Sequence, residues 1–241
     1  MIVGDDAHIV PLRIFFVDLN RTMWASSPTA FPWRYPVQPY SSYFYERFPG
    51  WEAVPVAQIA QFHWEGTRPY RPESYAALCG VRDAGLMARL WSFEEPENLR
   101  CEGTERDDPI WQDSCLELFF QPVPGREEYI NIEMNPKGVY LSQFGPRRKD
   151  RVFIKELTDF APEVLPFMPE TSGWGVEVTL PEALIAALYG TEYRIGPGSF
   201  RGNCYKCGDK TPRPHYGALF PVGNPLLGFH NPGKFGDIIL A

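Results

Sequence analysis

Tyr129–Phe144 reads YINIEMNPKGVYLSQF. Its first half alternates strictly. Ile130, Ile132 and Met134 form one set, and Tyr129, Asn131, Glu133 and Asn135 form the other. A period of two sends the two sets to opposite faces of a β-sheet. NPKG is a turn signature, and Val139–Phe144 then returns as a second strand. The stretch is a hairpin with one apolar face and one face carrying rings, amides and a carboxylate.

The same pattern spreads outward. Cys115–Phe120 (CLELFF) is a strand in which Glu117 is the lone charge, and a carboxylate there needs a hydrogen-bonding partner, a cation or solvent. In RGNCYK, Arg201, Asn203 and Tyr205 share a parity. Three strands therefore each bring polar groups to a face. Ser74–Val81 and Leu86–Phe93 flank RDAG, a hairpin signal. Arg151–Leu157, Trp174–Leu180, Ser199–Cys207 and Phe235–Leu240 also read as strands. Pro181–Leu188 (PEALIAAL) reads as the one short helix, with proline at its start and an early glutamate. Many short strands separated by turns predict an all-β fold, an antiparallel β-sandwich of jelly-roll type. The sandwich is expected over residues 55–241. Residues 1–54 are expected to be an extension packed on it, with a strand at His8–Asp18 and a long aromatic loop at Met23–Tyr45; Trp51–His63 then leads from it into the next strand.

Bulk properties narrow the function. The chain has 241 residues, 44% hydrophobic and 22% charged, as a globular domain does. A net charge of −7 argues against nucleic acid and anionic membrane as partners, because phosphate binding needs a basic face. The one basic run, Pro146–Arg151 (PRRKDR), reads as a solvated turn. No apolar run is long enough to span a bilayer. The opening MIVGDDAHIVPLRIFF lacks a basic n-region, so a cytoplasmic location is expected. The five cysteines are odd in number and show no disulfide framework, which fits a reducing compartment.

Five segments in order resemble the family 9 carbohydrate-binding modules, specifically family-9-like bacterial domains. They are WQDSCLELFFQP (Trp111–Pro122), YINIEMNPKG (Tyr129–Gly138), GWGVEVTLPEALI (Gly173–Ile185), RGNCYKCG (Arg201–Gly208) and FHNPGKFGDIIL (Phe229–Leu240). Sugar-binding members sandwich a pyranose between two aromatic rings. The resemblance puts the first ring at Trp111, the second at Phe229, the strand glutamate at Glu117 and the strand amide at Asn203, with Arg201 in the same motif. Two positions depart from the pattern. The second ring is phenylalanine rather than tryptophan, and a basic residue of the Tyr-rich strand has no counterpart at Ile130 or Asn131.

The resemblance implies non-catalytic binding of a mono- or oligosaccharide, with no cofactor. Sugar C–H faces pack on aromatic rings, and hydroxyls suit carboxylates and amides. Trp111 and Phe229 would be walls, and Glu117, Asn131 and Asn203 a floor. One alternative is an interaction module that keeps the sandwich and has lost the sugar site. Another is a glycan-processing enzyme using Glu117 and Glu133 as acid and base. Cys204-x-x-Cys207 with His215 falls short of a zinc site, which needs a second ligand pair. His230 reads as a loop histidine. Some family members hold a structural calcium, but no loop here carries a clear ligand set.

Overall fold

The computed structural model describes residues 37–64, 69–170, 172–224 and 228–241. The strand expected at His8–Asp18 and most of the Met23–Tyr45 loop lie outside these residues. The alternation at Tyr129 is real: β7 (Tyr129–Met134) pairs antiparallel with β6 (Cys115–Gln121) and with β8 (Tyr140–Gly145). Beyond β8 lies β9 (Val152–Phe153), far shorter than expected because the chain turns into a 3-10 helix at Ile154–Glu156. On the other side, β6 pairs with β12 (Gly198–Gly208). The long β12 takes two partners along its far edge. Its first half pairs with β14 (Gly236–Leu240) and its second half with β13 (His215–Ala218). A parallel edge strand, β1 (Tyr40–Ser42), completes an eight-stranded sheet.

The second sheet has six strands. β4 (Ser74–Val81) and β5 (Gly85–Ser92) form the hairpin read from RDAG, followed outward by β11 (Trp174–Pro181) and β10 (Glu163–Phe167). β2 (Phe44–Tyr45) and β3 (Val56–Gln58) pair with β4. All pairings among the described strands are antiparallel except β1–β14 and β2–β4. These mixed edges arise within the stretch read as a loop: the chain leaves one sheet at Ser42 and joins the other at Phe44.

The sheets pack face to face over a core that includes Leu78, Leu86, Leu90, Leu118, Phe120, Ile130, Ile132, Val176 and Leu180. The apolar set of β7 faces this core, as the alternation requires. The single α-helix, α1 (Glu182–Tyr189), starts at Pro181 and ends at Gly190 in the left-handed conformation. No helix among the described residues is long and apolar enough to cross a membrane.

The β4–β5 turn depends on one glycine. Gly85 has φ +116°, and a Cβ there would overlap the Leu180 carbonyl oxygen of the neighbouring strand. Gly85→Ala is expected to cost about 1–3 kcal/mol. In a domain of this size that lowers Tm by roughly 2–4 °C per kcal/mol, which thermal unfolding followed by circular dichroism reads directly.

Candidate functional site

The eight-stranded sheet has a second face, turned away from the sandwich core. Register brings Tyr205, Glu117, Glu133 and Leu141 into one row across β12, β6, β7 and β8. The next row holds Asn203, Phe119, Asn131, Gln143 and Phe153. These residues carry the polar and aromatic set of the alternation. The face is nevertheless covered by loops, so both sides of β7 are buried. A second apolar cluster forms there from Ile110, Phe119, Tyr129, Tyr205, Val222, Phe229 and Phe235.

A cavity of about 650 Å³ opens above this face. That lies within the roughly 300–1,000 Å³ of small-molecule sites. Trp111, Glu117 and Phe229 line it, as do Trp64, Glu133, Arg148, Arg151, Asp209, Tyr216 and His230.

Trp111 is the solvent-facing ring, 38% exposed. It sits in a 3-10 turn, Ile110–Gln112, anchored by fully buried Ile110. The loop after β12 clasps this turn: the Asp209 and Lys210 backbone N–H groups donate to the carbonyls of Trp111 and Gln112, both at 3.1 Å. Phe229 is 9% exposed and stacks on Tyr205, with centroids 4.1 Å apart and planes 14° from parallel. Trp64 meets Phe229 edge to face at 5.5 Å and Tyr216 at 5.4 Å. Phe229 is thus part of an aromatic wall rather than a free-standing plate.

Glu117 and Glu133 face each other across the β6–β7 ladder, each no more than 3% exposed. Burial and then the Glu133 carboxylate hold Glu117 well above the usual carboxylate range, against the pull of the Cys207 thiol, which donates to its Oε1 at 2.9 Å. Burial also raises Glu133, opposed by the Asn131 amide at 3.0 Å and by Arg151. Buried and facing each other on paired strands, the two carboxyls hold their protons more strongly than an exposed pair would. Glu133 Oε2 is buried and has no hydrogen-bond partner among the described residues.

Asn131 lies beneath the cavity rather than on its wall. Its amide donates to Glu133, and its carbonyl accepts from the Arg151 guanidinium. Asn203 and Arg201 do not line the cavity. The Asn203 side chain both donates to and accepts from the Phe220 backbone at 3.0 Å, pinning the chain just after β13. Arg201 donates to the Phe235 carbonyl and pairs with Asp237 at 3.5 Å. Its parity matches the site, but it sits opposite Gln121, four residues along β6 from Glu117.

The basic run read as a solvated turn supplies two cavity residues, Arg148 and Arg151. Arg151 thus brings a cation to the site from the segment before β9, where the Tyr-rich strand has none. Its Nη2 approaches His230 Nε2 at 3.5 Å. Since arginine only donates, Nδ1 of His230 carries the proton and donates to the Tyr129 hydroxyl at 3.0 Å. Stacked on Phe119 at 4.9 Å, His230 is a packed, bonded group rather than a loop histidine.

Burial, then Arg151 and Arg148, push the His230 pKa down to about 2 from 6.5. The unfolded chain therefore binds a proton below pH 6.5 that the folded chain refuses. The linked stability is intact above that pH and lost as pH falls. The stability advantage of the wild type over His230→Asn should shrink by about 1.4 kcal/mol between about pH 7.5 and 5.5, read by urea denaturation.

Among the described residues, the three-donor grouping of metal-ligand type is Cys115, Glu117 and Cys207. It is a sulfur-rich set rather than an oxygen cage for calcium. Asp113, the acidic residue nearest Trp111 in sequence, accepts from the Glu102 and Gly103 backbone and from Asn135, all within 3.1 Å. Its lone pairs are already committed.

The model of carbohydrate-binding family 9 matches residues 50–240. A protein of Bacteroides uniformis ATCC 8492, for which carbohydrate binding has been proposed, shares the fold at TM-score 0.70 and 19% identity, over 86% of this chain and all of that one. A family 9 module from Caldicellulosiruptor kristjanssonii, solved with cellotriose, matches at TM-score 0.55 and 11% identity over 83% of this chain and 93% of its own. Its glucose complex matches at 0.55 and 11%, over 82% and 94%. No curated protein matches the sequence. With a family match spanning most of its length, and in the order of motifs that first pointed there, the protein belongs to carbohydrate-binding family 9.

Proposed function

We propose that this chain binds carbohydrate without catalysis, holding one sugar ring against Trp111 and the Phe229–Trp64–Tyr216 wall, over the Glu117–Glu133 pair and the Arg151 guanidinium. The observation that carries the reading is the convergence of Trp111 and Glu117 with Phe229, more than 110 positions later in the sequence, on one cavity of about 650 Å³. The rings would supply contact with C–H faces. The carboxyl pair would accept from hydroxyls, and Arg151 would donate. The solved family members with glucose and cellotriose support the ligand class.

The open cavity favours this reading over an interaction module with a filled site. The enzyme alternative would need Glu117 and Glu133 to flank a glycosidic bond. Here they lie side by side on paired strands, each no more than 3% exposed.

Titration calorimetry against glucose, cellotriose and a panel of other mono- and oligosaccharides tests the proposal. One site of modest affinity is expected, since one ring offers few contacts. No heat with any sugar at millimolar concentration would end it.

A further inference from the structure

Beyond the sugar site, we propose that Cys115, Glu117 and Cys207 form a binding site for a thiophilic divalent metal ion such as Zn²⁺, seated in the floor of the cavity. Register creates it. Cys207 on β12 lies directly opposite Cys115 on β6, and Glu117 follows Cys115 by two residues on the same face. A Cys-x-Glu strand thereby meets a cysteine from its neighbour. The two Sγ atoms and a Glu117 oxygen all lie within 4.8 Å of one another. All three side chains are buried, and Glu117 and Cys207 line the cavity.

The sequence suggests a different pair, Cys204-x-x-Cys207, and the strand separates it. An offset of three sends the two thiols to opposite faces of β12. Cys204 packs in the core between the sheets, and Cys207 in the cluster beneath the cavity. The chelating partner of Cys207 is therefore Cys115, 92 positions earlier in the sequence.

The donor chemistry suits Zn²⁺. Zinc takes thiolate at about 2.3 Å and carboxylate at about 2.0–2.2 Å in tetrahedral sites, so donors that all lie within 4.8 Å of one another, with Cys207 Sγ and Glu117 Oε1 2.9 Å apart, reach one ion by small side-chain shifts. Three protein ligands leave a fourth position, which opens on the cavity and is filled from it by an oxygen of water or ligand. Two thiolates and a carboxylate around a dication leave one net negative charge, beside Arg151 and Arg148 on the cavity wall. Without metal, burial pushes the Cys115 thiol up to about 12 and Cys207 well above its ordinary range, so both stay protonated. Metal entry releases the two thiol protons, and the Glu117 carboxyl proton where it is held, to solvent. No electrons move.

The test is Co²⁺ titration of the reduced, metal-free protein, followed by absorbance. The expected result is one equivalent bound, with a thiolate-to-cobalt charge-transfer band. Cys115→Ser and Cys207→Ser should weaken binding about 100-fold or more, whereas Cys101→Ser leaves it unchanged. Should a buried serine variant fail to fold, X-ray absorption of the zinc-loaded wild type decides. Two sulfurs at about 2.3 Å support the site. Overturning results are the absence of a charge-transfer band in the wild type, a band that survives Cys207→Ser, or a zinc shell without sulfur. Sugar titration of the same metal-free sample is a separate measurement, so failure of the metal site leaves the sugar reading standing.

Discussion

Trp111→Ala is expected to remove measurable sugar binding and leave the fold in place. The indole is the exposed member of the cavity wall, and its anchoring comes from elsewhere. Ile110 is the buried residue of its turn, and the clasp from Asp209 and Lys210 uses only the backbone of Trp111 and Gln112. Alanine keeps these bonds. What goes is the ring: about 0.5–1.5 kcal/mol of aromatic contact beyond burial, plus apolar area worth about 25 cal/mol per Å². For a ligand of modest affinity, a combined loss of about 3 kcal/mol, over 100-fold, moves binding out of calorimetric range. Thermal unfolding should shift by only a few degrees. Binding retained within about threefold would show that the ring is not the platform.

Lys206→Met should have the largest effect on stability. Lys206 is fully buried at the opposite parity to the site, between the two sheets. Its ammonium pairs with Glu94 at 3.0 Å and donates to His215 Nε2 at 2.7 Å and to the Cys207 carbonyl at 2.8 Å. Glu94, in turn, accepts from Asn98 at 2.7 Å and from the Trp174 indole at 3.3 Å. Removing the lysine leaves a carboxylate with no water to solvate it, a loss of about 3–5 kcal/mol. Adding Glu94→Gln removes the stranded charge and should recover a substantial part. Chemical denaturation of the single and double variants reads this. A single-variant loss under about 1 kcal/mol would show that the pair contributes little.

Strand periodicity carried most of the architecture. The turn at NPKG, the hairpin around RDAG and the helix after Pro181 depend on local rules, and each stands where those rules put it. β1 and β2 were illegible because strands of three and two residues take their order from a tertiary neighbour, not from their own pattern. β10 hides behind Pro166, a residue that reads against a strand and is tolerated here on a sheet edge.

The site was legible in its face and less so in its members. Alternation put Glu117, Asn131, Asn203 and Arg201 on one face, but parity says nothing of position along the strand. Arg201 lies four residues from Tyr205, about 13 Å at 3.3 Å per residue. Asn203 lies nearer, yet its amide is used up by the Phe220 backbone. Arg151 was hidden for the opposite reason. A run of arginine, lysine and aspartate looks like a solvated turn, and only the fold brings its guanidinium to Asn131 and His230. In the same way, nothing in RGNCYK points from Lys206 to its partner Glu94, 112 positions earlier.

A crystal structure of the protein grown with glucose would show where the sugar sits. One ring is expected in the cavity beside Trp111, in contact with the Phe229 wall, its hydroxyls within hydrogen-bonding distance of Glu117, Glu133 or Arg151. Sugar bound elsewhere on the molecule, or a cavity holding only water at saturating glucose, would contradict it.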